Sequence, residues 1–119
     1  YYGVLYGIQS LGRTILEVPA HPSTGMDLGI LESSLRRKRI AAVISVGNFN
    51  NPLGSEMPAD HKRHLVSLLA KKEIPLIEDD IFGDLHYAPE RPVTAKSFDR
   101  EGLVLLCGSF SKSVAPGYR

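Results

Sequence analysis

Cysteine and long apolar runs are scarce in this sequence of 119 residues, and tryptophan is absent. The single thiol, Cys107, cannot form a disulfide within the chain, which excludes the disulfide scaffolds of small secreted proteins and favours a reducing, cytoplasmic setting. No apolar run approaches the ~20 residues that a membrane-spanning helix needs, and no charged-then-apolar leader opens the chain. We therefore expect a cytoplasmic protein with no membrane contact.

An excess of charge of one sign is also lacking. The 14 basic and 13 acidic residues leave a formal net charge of +1, so there is no global field that would attract nucleic acid or an anionic membrane. The basic run 36–39 follows a predicted helix, and we interpret it as a solvated helix end, where cations meet the negative end of the helix dipole. Any DNA contact of the protein is expected to come from residues outside this chain.

The chain does have a hydrophobic content of 43%, which is enough for one modest core. It opens at Tyr1 without an initiator methionine and stops at Arg119 without a closing element. We therefore expect residues 1–119 to be a fragment of a single larger domain.

Helix-like and strand-like segments alternate along the chain without any repeat. The spacing of apolar residues predicts helices over 2–11, from Asp27 onwards, and over 61–72. Short apolar runs predict strands over 14–18, 41–46, 75–77 and 103–107. Such runs are typical of parallel strands that are covered on both faces, so the last one, which ends in Cys107, is expected to be buried. This alternation of helices and strands predicts an α/β fold with a three-layer α/β/α arrangement around a mainly parallel sheet.

Three of the predicted strands run into polar residues that can do chemistry. The first leads into the segment 48–54, the second ends in the acidic cluster 78–80, and the third precedes the segment 108–112. In open α/β sheets, ligands bind just beyond the carboxyl ends of the strands. The three segments are therefore expected to meet at one site.

Lys112 is the candidate nucleophile of that site. It follows a predicted strand and lies between small hydroxyl residues, in a loop that is expected to desolvate its amine partly. A neutral amine attacks an aldehyde to form an imine. Ser109, Ser111 and Arg119 are suitable phosphate ligands, two hydroxyl donors and a bidentate guanidinium. The alternative for Lys112 taken alone is an exposed loop lysine, because lysines are usually exposed.

The acidic cluster offers a charge partner for a bound cation. A carboxylate at the end of a buried strand is costly unless it meets a cation, and a protonated pyridine nitrogen is such a cation. A solvated strand end and a metal site with His86 in reach remain alternatives. Asn51 belongs to an Asn-Pro turn, which explains it without a ligand role. Beside the acidic cluster, its amide is also a candidate donor to a phenolate oxygen.

In their order and separations, these segments resemble one protein family. Asn-Pro-x-Gly at 51–54, an Asp at the end of the next strand, and Ser-x-Ser-Lys followed by an Arg are similar to the pattern of fold-type I aminotransferases of class I/II. The segments 1–5, 77–87 and 108–119 more narrowly resemble the MocR subgroup of GntR-family regulators, in which a winged helix-turn-helix is fused to an aminotransferase-like domain. The resemblance covers essentially the whole chain and implies the central part of that domain's large lobe.

The resemblance implies pyridoxal 5'-phosphate (PLP) as the cofactor, held as a Schiff base by Lys112. It implies that Asp79 pairs with the pyridine nitrogen and that Asn51 contacts the phenolic oxygen. The remaining implied contacts are with the phosphate and the ring: Ser109, Ser111 and Arg119 for the phosphate, and Tyr1 stacked on the ring.

Phe82 departs from the pattern, because the enzymes usually carry a tyrosine three residues after the aspartate, whose hydroxyl also contacts the phenolic oxygen. A lost hydrogen bond of this kind costs ~1 kcal/mol, so cofactor binding is expected to survive. Tyr6 and Tyr87 are candidates to replace that hydroxyl. The resemblance also implies an upstream glycine-rich phosphate loop and a downstream small domain, neither of which is among residues 1–119.

Two functions share this site. In the first, the chain belongs to the sensory domain of a transcription regulator, whose effector is an amino acid, an amine or PLP itself. DNA is then bound through a domain outside this chain, and the intact protein is a homodimer. In the second, it belongs to a free-standing PLP-dependent aminotransferase acting on an amino acid, where the same lysine moves a proton at the substrate carbon. A third interpretation, an α/β domain without cofactor, requires the three motifs to be coincidental.

Overall fold

A computed structural model describes residues 1–117, which contain a parallel sheet, a short hairpin and flanking helices. The helices are α1 Tyr2–Ser10, α2 Leu28–Arg37, α3 Ala59–Ala70 and α4 Phe110–Ser113, with a 3₁₀ turn over Ala95–Phe98. The strands are β1 Ala20–His21, β2 Gly25–Met26, β3 Val43–Ser45, β4 Leu76–Asp79 and β5 Val104–Cys107. Helices alternate with the parallel strands, and the predicted α/β class is confirmed.

The strands β3, β4 and β5 form the sheet in chain order, with β4 in the centre. Both pairs are parallel, and one row of the register joins Val43, Leu76 and Val104. The three strands therefore end at the same edge of the sheet. The central strand extends beyond the predicted 75–77 and delivers Asp79 to that edge as its last residue.

One hydrophobic core packs the sheet against α2 and α3. Val43, Leu76 and Val104 face it from the sheet, and Leu65 and Leu69 of α3 are among its most deeply buried side chains. Each of these side chains stabilises the fold by about 1.5–3 kcal/mol, because apolar surface is removed from water. The core therefore holds α3 directly behind the strands whose ends form the candidate site.

The helix α2 begins where the sequence predicts. The Asp27 side chain caps it by accepting a hydrogen bond from Ile30 N at 2.9 Å, which satisfies one of the unpaired amides of the first turn. Leu31 and Leu35 face the core from one side of the helix. The basic run 36–39 lies exposed at its end, as expected of a solvated helix terminus.

The predicted strand over 14–18 is wrong. In the structure this segment has no ladder partner among residues 1–117, and a strand exists only where its backbone groups are paired. A short hairpin that the sequence analysis did not predict follows it, with Ala20 paired to Met26 and His21 to Gly25. Local apolar character was therefore not enough to place a strand here.

The predicted burial of the last strand is wrong beyond its first residue. Val104 is buried, whereas Leu105, Leu106 and Cys107 are exposed. The reason is that β5 is an outer strand of the sheet, and no element within residues 1–117 covers its carboxyl half. In the same part of the chain, no helix is long and apolar enough to cross a membrane.

Candidate functional site

The carboxyl edge of the sheet brings the three predicted segments together. Asp79 ends the central strand and pairs in register with Cys107 of β5. Asp80 N then donates a hydrogen bond to Cys107 O at 2.9 Å, which ties the two strand ends together. Neighbouring strands lie about 4.8 Å apart. The segments that follow β3, β4 and β5 therefore start within two strand spacings of one another.

Ser109 caps the short helix α4 that carries Lys112. Its Oγ accepts a hydrogen bond from Ser111 N at 3.1 Å and lies 2.7 Å from Ser111 Oγ, so the two hydroxyls form a pair at the start of the helix. Lys112 is exposed, and no hydrogen bond or ion pair within residues 1–117 engages its ammonium group. The partly desolvated loop that we expected around Lys112 is wrong for this structure, because the lysine lies in a helical turn that no described element covers.

Glu78 is the first of three neighbouring acids that have three different environments. The strand β4 alternates buried and half-buried residues, so Glu78 points to the core face and Asp79 to the opposite face. Glu78 is 1% exposed and accepts hydrogen bonds from Ala95 N at 2.6 Å and Lys96 N at 2.9 Å. Burial raises the pKa of Glu78 above its usual value, although the two backbone donors oppose this shift. The hydrogen-bonding capacity of this carboxyl group is therefore used inside the fold.

The carboxylate of Asp80 also has its partners inside the fold, whereas that of Asp79 has most of its acceptor positions unfilled within residues 1–117. Asp80 Oδ1 accepts a hydrogen bond from Asn48 Nδ2 at 2.8 Å, and its Oδ2 lies 2.6 Å from Arg91 Nη2. Asp79 is half-buried and accepts one hydrogen bond within residues 1–117, from Ile81 N at 3.3 Å. A carboxylate has about four acceptor positions. Asp79 is therefore the acid of this cluster with capacity left for a bound cation.

Asn51 lies in a turn that is closed by a bridge between Asn50 and Ser55, where Asn50 N donates to Ser55 O at 3.0 Å. Asn51 is exposed, and its peptide bond to Pro52 is cis. Within residues 1–117 its side-chain amide has no hydrogen-bond partner. The backbone thus forms the turn that the Asn-Pro pair predicts, while the side chain stays available to a ligand.

Tyr1, the predicted stacking residue, precedes α1 and is 95% exposed. In the part of the chain that the structure describes, no hydrogen bond links it to the segments after β3, β4 and β5. Arg119, the predicted phosphate ligand, lies outside the described residues. Phe82 is half-buried in the turn after β4, and both tyrosines considered as replacements for its missing hydroxyl, Tyr6 and Tyr87, are largely exposed.

Lys62 belongs to a buried polar network that the sequence analysis missed. It lies on α3, is 1% exposed, and donates from Nζ to Asn48 Oδ1 at 2.6 Å and to Val93 O at 2.8 Å. Burial is the largest influence on this amine and lowers the pKa of Lys62 from its ordinary value of 10.5. The sequence did contain a signal, because Lys62 precedes Leu65 and Leu69 by three and seven residues and so lies on the apolar stripe of α3.

An open parallel sheet whose strands are followed, at their carboxyl edge, by segments that carry an amine, a carboxylate, an amide and paired hydroxyls is typical of a ligand-binding α/β domain. The model of the family described as aminotransferase class I and II matches residues 1–119. The chain therefore belongs to the class I and II aminotransferase family, as its motifs predict.

The relatives of this chain include both regulators and enzymes. It is 44% identical to the HTH-type transcriptional regulator YjiR of Escherichia coli K12 over 119 residues, which make up 100% of this chain and 25% of that protein. It is 33% identical to aromatic-amino-acid aminotransferase 1 of Thermococcus litoralis over 124 residues, which cover 100% of this chain and 30% of that enzyme. The chain spans about a quarter of the length of the regulators that it matches.

A solved structure matches the fold closely. It is LysN, the α-aminoadipate aminotransferase of Thermus thermophilus, in complex with N-(5'-phosphopyridoxyl)-L-leucine. The TM-score is 0.91 at 30% identity, over 98% of this chain and 31% of that one. The resemblance to aminotransferases that the three motifs indicated is confirmed, together with the resemblance to helix-turn-helix regulators.

The side chains at the carboxyl edge fit PLP, the cofactor that the family implies. The amine of Lys112 suits an aldehyde, the available carboxylate of Asp79 suits a cationic ring nitrogen, and the hydroxyl pair of Ser109 and Ser111 suits a phosphate. Within residues 1–117, no group of three or more His, Cys, Asp or Glu side chains is arranged to hold a metal ion.

Proposed function

We propose that this chain is the central part of the PLP-binding, aminotransferase-like domain of a MocR-type transcription regulator, with the cofactor attached covalently to Lys112. The observation that carries this proposal is the contrast within the acidic cluster. Glu78 and Asp80 are occupied inside the fold, while Asp79 has room for a cation on the strand next to the Lys112 segment. The 44% identity with a regulator, against 33% with an aminotransferase, favours the regulator.

Each candidate residue has one task in this proposal. The amine of Lys112 would hold the cofactor by forming an imine with its aldehyde, and the aldehyde oxygen would leave as water. Asp79 accepts a hydrogen bond from the ring nitrogen and keeps it protonated, and a protonated ring makes bound PLP an electron sink. Asn51 donates its amide to the phenolic oxygen. The other contacts are those of the phosphate and of the ring: Ser109, Ser111 and Arg119 for the phosphate, and Tyr1 for the ring.

The regulator requires parts that lie outside this chain. Because the chain covers a quarter of the length of its regulator relatives, we assign DNA binding to a separate domain of a longer, homodimeric protein. The effector is an amino acid or an amine, because a primary amine competes with Lys112 for the cofactor aldehyde. Such an amine would replace Lys112 on the aldehyde carbon and would leave the lysine amine free at the carboxyl edge of the sheet.

A free-standing aminotransferase is the second candidate, and the close match to the LysN structure favours it. In that case the freed amine of Lys112 moves a proton at the α-carbon of the substrate. Two assays on the full-length protein separate the candidates: transamination between amino acids and 2-oxo acids, and binding to its own promoter DNA. Effector-dependent DNA binding supports the regulator, and steady turnover without DNA binding supports the enzyme.

The cofactor site is tested with the full-length protein and its Lys112→Ala variant. Wild type titrated with PLP is expected to develop a visible absorption band, and borohydride reduction followed by peptide mapping is expected to find the cofactor on Lys112. Lys112→Ala should lack both, because it removes the amine that we assign to the cofactor aldehyde. The matched control is Lys72→Ala, an exposed lysine after α3, which should behave as wild type. No band and no adduct in wild type would refute the proposal.

A further inference from the structure

A chain of polar contacts runs behind the candidate site. It leads from Lys62 through Asn48 to Asp80, and from there to Arg91 and Asp84. Its inner members are almost fully buried, with exposures of 1% for Lys62, 0% for Asn48 and 6% for Asp80. Among residues 1–117 no buried side-chain nitrogen or oxygen lacks a partner, so the chain of contacts is complete.

The Asn48 amide has one possible orientation in this chain. Lys62 can only donate, so Asn48 must present Oδ1 to it, and their atoms lie 2.6 Å apart. Ionised Asp80 can only accept, so Asn48 must present Nδ2 to it, at 2.8 Å. Lys62 therefore fixes which end of the amide faces the strand end at Asp80.

Stability alone does not explain a lysine at this position. Burying an ammonium group is costly, and within residues 1–117 no carboxylate lies within ion-pair distance of Lys62. Its two acceptors, on Asn48 and Val93, are neutral oxygens. An apolar side chain of similar volume would avoid the cost of desolvation. The fold also makes room for the lysine, since a Cβ at Gly47 would lie 3.2 Å from Lys62 Cε.

The same chain of contacts joins the segments that carry two proposed cofactor ligands. Asn48 lies three residues before Asn51, and Asp80 directly follows Asp79. The hydrogen bond of 2.8 Å between Asn48 and Asp80 is a direct side-chain link between these segments. Asp80 also donates its backbone amide to Cys107 O at 2.9 Å, which adds the end of β5. A change in the orientation of the Asn48 amide would therefore shift both Asn51 and Asp79.

We infer that Lys62 is a positioning residue for the cofactor. By orienting Asn48, it fixes the Asn51 segment relative to Asp79, so that the phenolic oxygen and the ring nitrogen of one PLP molecule meet both side chains at once. This inference rests on the proposed function, in which Asn51 and Asp79 bind PLP. Lys62 acts through Asn48 and makes no contact with the cofactor itself.

Four full-length proteins test this inference: wild type, Lys62→Met, Asn51→Ala and the double variant. For each, the dissociation constant of PLP and the pH at which the visible band changes are measured by absorption. Lys62→Met should weaken PLP binding about fivefold, the effect of one ordinary hydrogen bond, and should raise the pH midpoint by about half a unit. The midpoint rises because a displaced Asn51 amide no longer favours the deprotonated phenolic oxygen.

The double variant distinguishes positioning from a general loss of structure. If Lys62 acts through Asn51, Lys62→Met should add little to the midpoint shift of Asn51→Ala, because residues in one network are not additive. A shift of full size in the Asn51→Ala background would overturn the inference. So would a Lys62→Met protein with the affinity and midpoint of wild type, while the proposed function would stand. Absence of a Lys112 adduct in wild type would overturn both.

Two further variants keep the test interpretable. Lys72→Met makes the same chemical change at an exposed position and should match wild type in both readouts. If Lys62→Met does not fold, Arg91→Met tests the network from its partly exposed end, where the guanidinium lies 2.6 Å from Asp80. It should shift the midpoint in the same direction by a smaller amount, and an unchanged midpoint and affinity would overturn the inference.

Discussion

At the scale of single residues, three adjacent acids with the same charge differ entirely in what surrounds them. Within residues 1–117, Glu78 accepts two backbone hydrogen bonds, Asp80 contacts an amide and a guanidinium, and Asp79 has one long contact of 3.3 Å. The energetic effect of neutralising each acid should follow these partners, since removing one partner of a buried polar pair leaves the other unsatisfied. We therefore expect a substitution of Asp79 to affect cofactor binding, and a substitution of Glu78 or Asp80 to affect the stability of the fold.

Asp79→Asn is expected to weaken PLP binding at least about tenfold, because a hydrogen bond to a charged group is worth about 1.5–3 kcal/mol. Its effect on the melting temperature without cofactor should be small, since the carboxylate has little to lose in the fold. Asp80→Asn is the matched comparison and should lower the melting temperature, because Arg91 loses the buried one of its two carboxylate partners and keeps exposed Asp84. Thermal unfolding and PLP titration of the full-length variants measure both effects. Equal destabilisation by the two substitutions would contradict this assignment.

At the scale of elements, the sequence predicted those parts of the fold in which local pattern and tertiary packing agree. The helices α2 and α3 and the strands β3 to β5 were found from the spacing of apolar residues. The segment 14–18 has similar local character but no partner strand within residues 1–117, and sequence alone does not reveal pairing. The candidate site was predicted from strand ends and motifs. Lys62 was missed because lysines are usually exposed, although its place on the apolar stripe of α3 indicated burial.

Asp99 shows how one side chain organises the start of an element. Its carboxylate accepts from Lys96 Nζ at 2.8 Å and from the backbone amides of Leu103 and Val104 at 3.2 and 3.0 Å, just where β5 begins. The hydrogen bond from Lys96, followed by those from the backbone, holds the pKa of Asp99 well below its usual range. The charged carboxylate is therefore part of the turn that starts the strand.

Asp99→Ala should destabilise the protein by about 1–3 kcal/mol at pH 7, because the backbone amides of Glu101, Leu103 and Val104 lose their acceptor. The pKa of Asp99 is lower in the folded state than its ordinary value of 3.8, so its contribution is fully present above that value and is lost as the pH falls below it. The difference between variant and wild type should shrink accordingly. Urea unfolding at pH 7 and at pH 3 measures it, with exposed Glu90→Ala as the control. A difference that does not depend on pH would contradict the prediction.

At the scale of the whole molecule, Lys62 makes the free energy of unfolding depend on pH in the alkaline range. Desolvation lowers the pKa of Lys62 below 10.5 in the fold and outweighs the opposing influence of Glu56, Glu78 and Asp80, while Arg91 acts in the same direction as burial. Between the lowered pKa and 10.5, the unfolded chain binds more protons than the folded one. Stability therefore rises with pH across this window.

Wild type should accordingly gain stability relative to Lys62→Met as the pH is raised from 7 to about 10, because methionine removes the titrating group. Urea unfolding of the full-length proteins at several pH values measures the difference, and the comparison cancels the titration of other lysines and tyrosines. Lys72→Met, which removes an exposed amine, should run parallel to wild type. If Lys62→Met also runs parallel, the buried amine does not titrate in this window.

The alternation along β4 also decides which acid is available to the proposed cofactor. Leu76 and Glu78 lie on the core face, and Ile77 and Asp79 on the other. If β4 slipped by one residue against its neighbours, every side chain would turn over, so that Asp79 would enter the core and Glu78 would face the ligand. The same slip would carry Leu76 out of the core and Ile77 in. The composition of the chain would be unchanged, yet the proposed cofactor contact of Asp79 would be lost. The alternation of a four-residue strand therefore sets both the core and the proposed ligand face.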